Sequence, residues 1–190
     1  MILVEKNNKK EVVVLNPRCG STWIAGVIVI QKVSQDLKIV ELENIKNGMP
    51  SHSDIEDGKF WNQWDTIKDL PKWGITRHPV QKLRSAIQFY NLTSVDSVIH
   101  HIHNNKNYVH FKPQHKFFFD KDEQVVKNFN LLDIQFPFKP ANIEYKYYDM
   151  HFKNASTEHL KITIEEVREL SETYYSADYD AFGYERGKIR

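Results

Sequence analysis

Arg18, Gly20, Ser21 and Thr22 stand together in the run Asn16-Pro17-Arg18-Cys19-Gly20-Ser21-Thr22-Trp23. These residue types suit the gripping of a phosphate. Arginine brings a fixed positive charge on a planar fork of donors, and the two hydroxyls add donors of their own. Glycine lets the backbone come close to an anion. Arg77 and Ser85 form a second group of similar chemistry, in Arg77-His78-Pro79-Val80-Gln81-Lys82-Leu83-Arg84-Ser85.

Local patterning says which elements must carry these groups. The apolar run Val12–Leu15 reads as a buried strand, and a long apolar stretch from Trp23 to Ile30 follows the polar loop. The order is strand, tight loop, buried helix over Ser21–Val33. A loop at a helix N-terminus offers free backbone N–H groups and the positive end of the helix dipole to an anion. No G-x-x-x-x-G-K-[ST] pattern occurs, so the loop is not a Walker A cradle. Trp73–Thr76 reads as a second strand. Pro79 sits at a helix start, where proline is tolerated, and Val80, Leu83, Ile87 and Tyr90 fall on one face of that helix. Arg77 then lies at the end of a strand and Ser85 two turns into the helix.

The remaining chain alternates in the same way. A strand is expected at Lys38–Leu42, an irregular segment from Glu43 to Lys72 with Gly48, Pro50, Gly58 and Pro71 as breakers, and a strand at Val125–Phe129. A helix is expected from Ser94, with Val95, Val98, Ile99 and Ile102 inward. Thr163-Ile164-Glu165-Glu166 reads as a capping box opening a helix that turns Ile164, Val167, Leu170 and Tyr174 inward. Strands alternating with helices predict an α/β fold, a single domain over residues 1–190 with a mainly parallel sheet flanked by helices. The anion loop would sit at the carboxyl end of the first strand of that sheet.

Composition narrows the partners. The chain has 190 residues, 41% hydrophobic and 13% aromatic, which suits one domain with a real core. A net charge of +1 argues against a broad nucleic-acid-binding face, so any anion site must be local. The single cysteine rules out an intrachain disulfide framework. Cys19 is either a small residue filling space in the loop or a thiol whose pKa is lowered by the helix N-terminus. No signal peptide follows Met1, and the longest apolar run is shorter than the ~20 residues that span a bilayer. A cytoplasmic protein without membrane attachment is expected. The nine histidines include His100, His101, His103, His110 and His115, yet no H-E-x-x-H or cysteine pattern accompanies them, and no metal is expected.

The two anion groups together resemble the nucleotide-binding motifs of the sulfotransferase family. The first resembles the P-K-x-G-[ST]-[ST]-W loop that holds the 5′-phosphosulfate of 3′-phosphoadenosine 5′-phosphosulfate (PAPS). The second resembles R-x-P-x-x-R-x-x-S, whose arginine and serine grip the 3′-phosphate. His110-Phe111-Lys112-Pro113-Gln114 is similar to the H-W-x-P-Q element of carbohydrate sulfotransferases. Tyr175 to Tyr184 is similar to the Y-x-x-D-[FY]-x-x-F-x-Y ending of small bacterial and Golgi-type members. Arg186-Gly187-Lys188 has the look of a basic-Gly segment that helps bind the 3′-phosphate, though a frayed basic tail is the plainer reading.

The resemblance implies a sulfotransferase fold with a P-loop-like nucleotide cradle. It implies PAPS as donor, 3′-phosphoadenosine 5′-phosphate (PAP) as product, and a hydroxyl acceptor on a small molecule or glycan. Arg18, Cys19, Gly20, Ser21, Thr22, Trp23, Arg77 and Ser85 would bind the donor, with Trp23 stacking on adenine or packing in the core. The catalytic base would be His52 or His110, since histidine accepts a proton near neutrality. Glu41, Glu43 and Asp54 are further candidates, and Lys112 would either supply charge to the transferred group or lie solvated at the surface. Arg18 stands where many members carry a lysine that acts on the leaving oxygen. Arginine can neutralise that charge but does not easily release a proton. Two other classes stay open: a catalytically inactive PAPS- or glycan-binding module, and a nucleotide kinase-like phosphoryl-transfer enzyme.

Overall fold

The first eleven described positions already set the sheet. In the computed structural model β1 (Ile2–Lys6) pairs antiparallel with β2 (Lys9–Val14), Ile2 opposite Val13 and Lys6 opposite Lys9. The structure describes residues 2–6, 9–14, 16–21, 38–40, 45–46, 49–50, 69–117, 129–133 and 161–187. β3 (Lys38–Val40) lies on the other side of β1, again antiparallel. β4 (Ile45–Lys46) and β5 (Met49–Pro50) pair with each other apart from that sheet. β6 (Lys72–Thr76) pairs with β2 in parallel, and β7 (Phe129–Asp133) with β6 in parallel. The five-stranded order is β3-β1-β2-β6-β7, with β1 running against the other four.

Three elements differ from the sequence reading. Of the strand expected at Val125–Phe129 only Phe129 lies within the described residues; the described strand continues to Asp133, and pairing with β6 sets its register, Lys72 opposite Phe129 and Thr76 opposite Asp133. An apolar run marks a strand, but its parallel partner decides where it starts and ends. β1 was not expected at all. The segment from Glu43 contains the short β4–β5 pair; Asn47-Gly48 between the two strands is the two-residue signal that announces such a ribbon.

The helices follow their patterns closely. α1 (Pro79–Phe89) begins at its proline and buries Val80, Leu83, Ala86 and Ile87. α2 (Val95–His103) is capped by Ser94, whose hydroxyl accepts from the Ser97 N–H, and buries Val98 and Ile102. α3 (Ile164–Tyr174) opens on a full capping box: Thr163 Oγ1 accepts from the Glu166 N–H at 3.2 Å, and Glu166 Oε2 accepts from the Thr163 N–H at 2.7 Å. α4 (Ser176–Phe182) follows directly and ends at Gly183, whose φ of 68° is the left-handed conformation that glycine adopts without strain. The helical faces of α1, α2 and α3 meet in one core with Phe111, Ile162 and Tyr175. The cap is open to test: Thr163→Ala should cost about 1 kcal/mol, or about 2–4 °C in a thermal melt.

This arrangement fixes where chemistry can happen. β2 and β6 are parallel neighbours, Val14 opposite Gly74, so the loops after both strands emerge at the same edge of the sheet. Among the described residues no helix is long and apolar enough to cross a membrane.

Candidate functional site

The loop after β2 is a succession of turns from Pro17 to Gly20, with Ser21 already helical. Val12, Val14 and Asn16 are buried in turn, the period-two face of β2 running on into the loop. Gly20 has a φ of 78°, as a left-handed position asks of a glycine, and Arg18 adopts a φ of 61° despite carrying a side chain. A non-glycine residue held there costs about 1–3 kcal/mol, so its surroundings must over-determine it.

Those surroundings are the second anion group. Arg18 Nε and Nη2 both donate to Ser85 Oγ, at 3.0 and 2.8 Å. Arg77 Nη1 donates to the Arg18 carbonyl at 3.1 Å, and Arg77 Nε reaches Gln81 Oε1 at 3.5 Å. The Arg18 guanidinium lies over the ring of Phe89, 4.9 Å from its centroid. Arg18, Arg77 and Ser85 therefore form one cluster. The Ser85 hydroxyl faces Arg18, so the cluster crosses between the two segments.

Burial acts on both arginines of the cluster. Burial lowers Arg77 to about 10, and the neighbouring charges of Arg18 and Arg84 add to the effect. Burial also lowers Arg18. Both remain cationic at neutral pH, so the fold carries under-solvated positive charge that a bound anion would stabilise. Among the described residues Arg18 makes no ion pair.

Cys19 is fully buried, and burial pushes its thiol up to about 12. It is a neutral S–H group donating to Gln114 Oε1 at 3.1 Å, not the activated thiolate that a helix N-terminus could have produced. Ser21 is buried and helical. Thr22, Trp23, Glu41, Glu43, His52 and Asp54 lie outside the described residues.

The structure joins this cluster to Gln114, a residue without a role in the sequence reading. Gln114 is completely buried, and its side-chain amide reads both polar groups of Arg77: Oε1 accepts from the Arg77 N–H at 2.9 Å and Nε2 donates to the Arg77 carbonyl at 2.7 Å. These two bonds fix which end of the amide is oxygen. The same oxygen accepts from Asn16 Nδ2 at 3.1 Å and from Cys19. Asn16 Nδ2 also donates to the Ile75 carbonyl at 3.0 Å. One glutamine thus pins the loop after β2 to the loop after β6.

Gln114 is itself held by Asp178 of α4. Asp178 is fully buried and accepts from the Gln114 N–H, the His115 N–H and His115 Nδ1, at 2.8, 2.8 and 2.7 Å. The C-terminal segment makes further ties, Tyr184 to Thr76 through hydroxyls 2.9 Å apart and Tyr179 to Ser171 at the same distance. All four motif-like segments of the sequence meet here. Gln114 and Asp178 were visible in it only as letters of the H-F-K-P-Q and Y-x-x-D patterns. Their spacing in the chain gives no hint that each bridges segments distant in sequence.

Two other expectations change. Lys112 is not a solvated surface lysine; it is buried, with its ammonium 5.7 Å from the centroid of Phe117. Arg186 is not part of a frayed tail: it donates to Asp180 at 2.7 Å and to the Ser176 carbonyl, an exposed pair of the kind that contributes little to stability. His110 packs its ring against Phe89 at 4.5 Å and Tyr90 at 5.6 Å, one aromatic ring removed from Arg18. Among the described residues no group of three or more His, Cys, Asp or Glu is placed to hold a metal ion. Compared with known proteins, the chain matches no family model, no curated protein and no solved structure.

Proposed function

We propose that this chain is a PAPS-dependent sulfotransferase, moving a sulfuryl group to an acceptor hydroxyl on a carbohydrate. The observation that carries the reading is the hydrogen bond from Arg18 to Ser85, which unites two anion-gripping segments at the ends of adjacent parallel strands. A ligand with two anionic ends suits such a cluster. The loop of Gly20 and Ser21 would take the 5′-phosphosulfate on backbone N–H groups at a helix start, with Arg18 neutralising charge. Arg77 and Ser85 would take the 3′-phosphate, the Ser85 hydroxyl turning from Arg18 to the ligand.

In the reaction the acceptor oxygen attacks sulfur as the bond from sulfur to the 5′-phosphate oxygen breaks. PAP departs, and the acceptor proton passes to a base. His52 and His110 are the candidates. His110 has in its favour a ring in the aromatic cluster next to Arg18. A binding module without turnover is the second reading. It is favoured by Arg18 itself, since a guanidinium stabilises the leaving phosphate without protonating it.

The test compares PAPS with adenosine 5′-phosphosulfate, which lacks the 3′-phosphate. Two charge-assisted contacts, at about 1.5–3 kcal/mol each, predict a preference for PAPS of roughly a hundredfold or more. Arg77→Ala should remove most of that preference, and Arg18→Ala should weaken both nucleotides. Equal affinity of the wild type for the two would overturn the donor assignment. Turnover of PAPS against a glycan panel then separates enzyme from binding module. There the base is the histidine whose alanine variant loses roughly two to four orders of magnitude in rate while keeping PAP affinity.

A further inference from the structure

Lys82 lies on the buried face of α1, three residues after Pro79 and four before Ala86, with 2% of its surface exposed. A lysine is almost never so buried without partners that make the site work. Its partners are main-chain carbonyls: Nζ donates to those of His110 and Lys112. The carbonyl between them, that of Phe111, accepts from Tyr175 Oη at 2.7 Å, and the Lys82 ammonium stands 5.6 Å from the centre of the Tyr175 ring. Three consecutive carbonyls are thus gathered by α1 from one side and by the α3–α4 junction from the other. After Pro113 come the residues that Asp178 holds, Gln114 and His115.

We propose that Lys82 is a positioning residue that sets the separation of the two anion-binding loops through the segment 110–114. The chain of contacts runs from Lys82 to the carbonyls of 110 and 112, then through the backbone to Gln114. From there it passes through the Gln114 amide to Arg77 on one side and to Asn16 and Cys19 on the other. A fixed ammonium suits this task. Two of its donors satisfy the carbonyls of His110 and Lys112, and its charge strengthens each bond. Burial lowers the Lys82 pKa, and the nearby Asp178 carboxylate acts against that lowering. Lys82 touches no ligand in this scheme and acts only through Gln114.

The proposal rests in part on the two-anion reading of the site, and the experiment separates the two. Amide exchange is measured first, on the ligand-free protein, for wild type, Lys82→Met, Lys82→Gln and Lys82→Arg. Lys82→Met should speed exchange at the Arg77 and Gln114 amides by at least tenfold and leave Ile102 of α2 unchanged. Lys82→Arg should restore protection. Lys82→Gln, which keeps one donor group, should fall between and serves if the methionine variant does not fold. Unchanged exchange at Arg77 in these variants would overturn the clamp.

Binding is measured second, with PAP and with adenosine 5′-monophosphate, which uses only one of the two anion positions. A lysine that merely supported folding would scale both affinities by the folded fraction alone. A positioning lysine lowers the PAP preference by at least tenfold in Lys82→Met or Lys82→Gln while sparing the monophosphate. Faster exchange with the preference intact would overturn the positioning role. A wild type that does not prefer PAP would overturn the donor assignment instead, and the exchange experiment alone would then decide the clamp.

Discussion

Gln114→Leu is expected to destabilise the fold by about 2–6 kcal/mol and to abolish the proposed PAP binding in whatever remains folded. The Gln114 amide is buried and serves both polar groups of Arg77. Leucine fills a similar volume but leaves that N–H and that carbonyl without their partner, at about 1–3 kcal/mol for each buried group. Asn16 keeps its bond to the Ile75 carbonyl, and Cys19 loses only a weak donor contact, so they add little. Against a total stability of about 5–15 kcal/mol, a loss of this size is visible in any denaturant titration. The binding effect has a separate origin. Without the glutamine the loop after β2 loses its tie to the Arg77 backbone and keeps the bonds of Asn16 to the Ile75 carbonyl, of Arg18 to Ser85 and of the Arg77 guanidinium to the Arg18 carbonyl. A variant that melts within about 1 kcal/mol of wild type and still binds PAP would show that Gln114 is not the joint described here.

Asp178→Ala should be of the same order, a loss of about 3–6 kcal/mol. The carboxylate is fully buried and accepts from two backbone N–H groups and from a histidine ring. Bonds to an ionised acceptor contribute about 1.5–3 kcal/mol each, and both N–H groups would be left without it. Asp178→Asn keeps the shape but turns an amide N–H toward one of the two backbone donors, so it should retain roughly half of the stability lost by alanine. The ordering wild type, asparagine, alanine in urea midpoints is the expected result. Equal midpoints for asparagine and wild type would mean that the charge is not what holds Gln114 and His115. Both variants should also weaken PAP binding, because they release the segment that carries Gln114.

The sequence by itself determined the elements whose signals are local. Pro79 with the period of Val80, Leu83 and Ile87 announced α1, Ser94 announced α2, and Thr163 with Glu166 announced α3, because caps and amphipathic faces are written within a few residues. It also picked out Arg18, Gly20, Ser21, Arg77 and Ser85 as one chemistry in two places. Tertiary structure alone decided the rest. The place of β7 came from its partner strand, and β1 from a pairing on both of its sides that no run of residues encodes. The partner of the Ser85 hydroxyl, Arg18, depended on how two loops face each other across neighbouring strands. Cys19 became an inert thiol because the fold buries it, where its place before a helix permitted the opposite. Gln114, Asp178 and Lys82 carried only a faint trace, a polar residue on an apolar helical face or one letter of a motif. Their partners lie tens of residues away, and hydrogen bonding across that distance is specified by the packing of α1, α3 and α4 rather than by anything periodic in the chain.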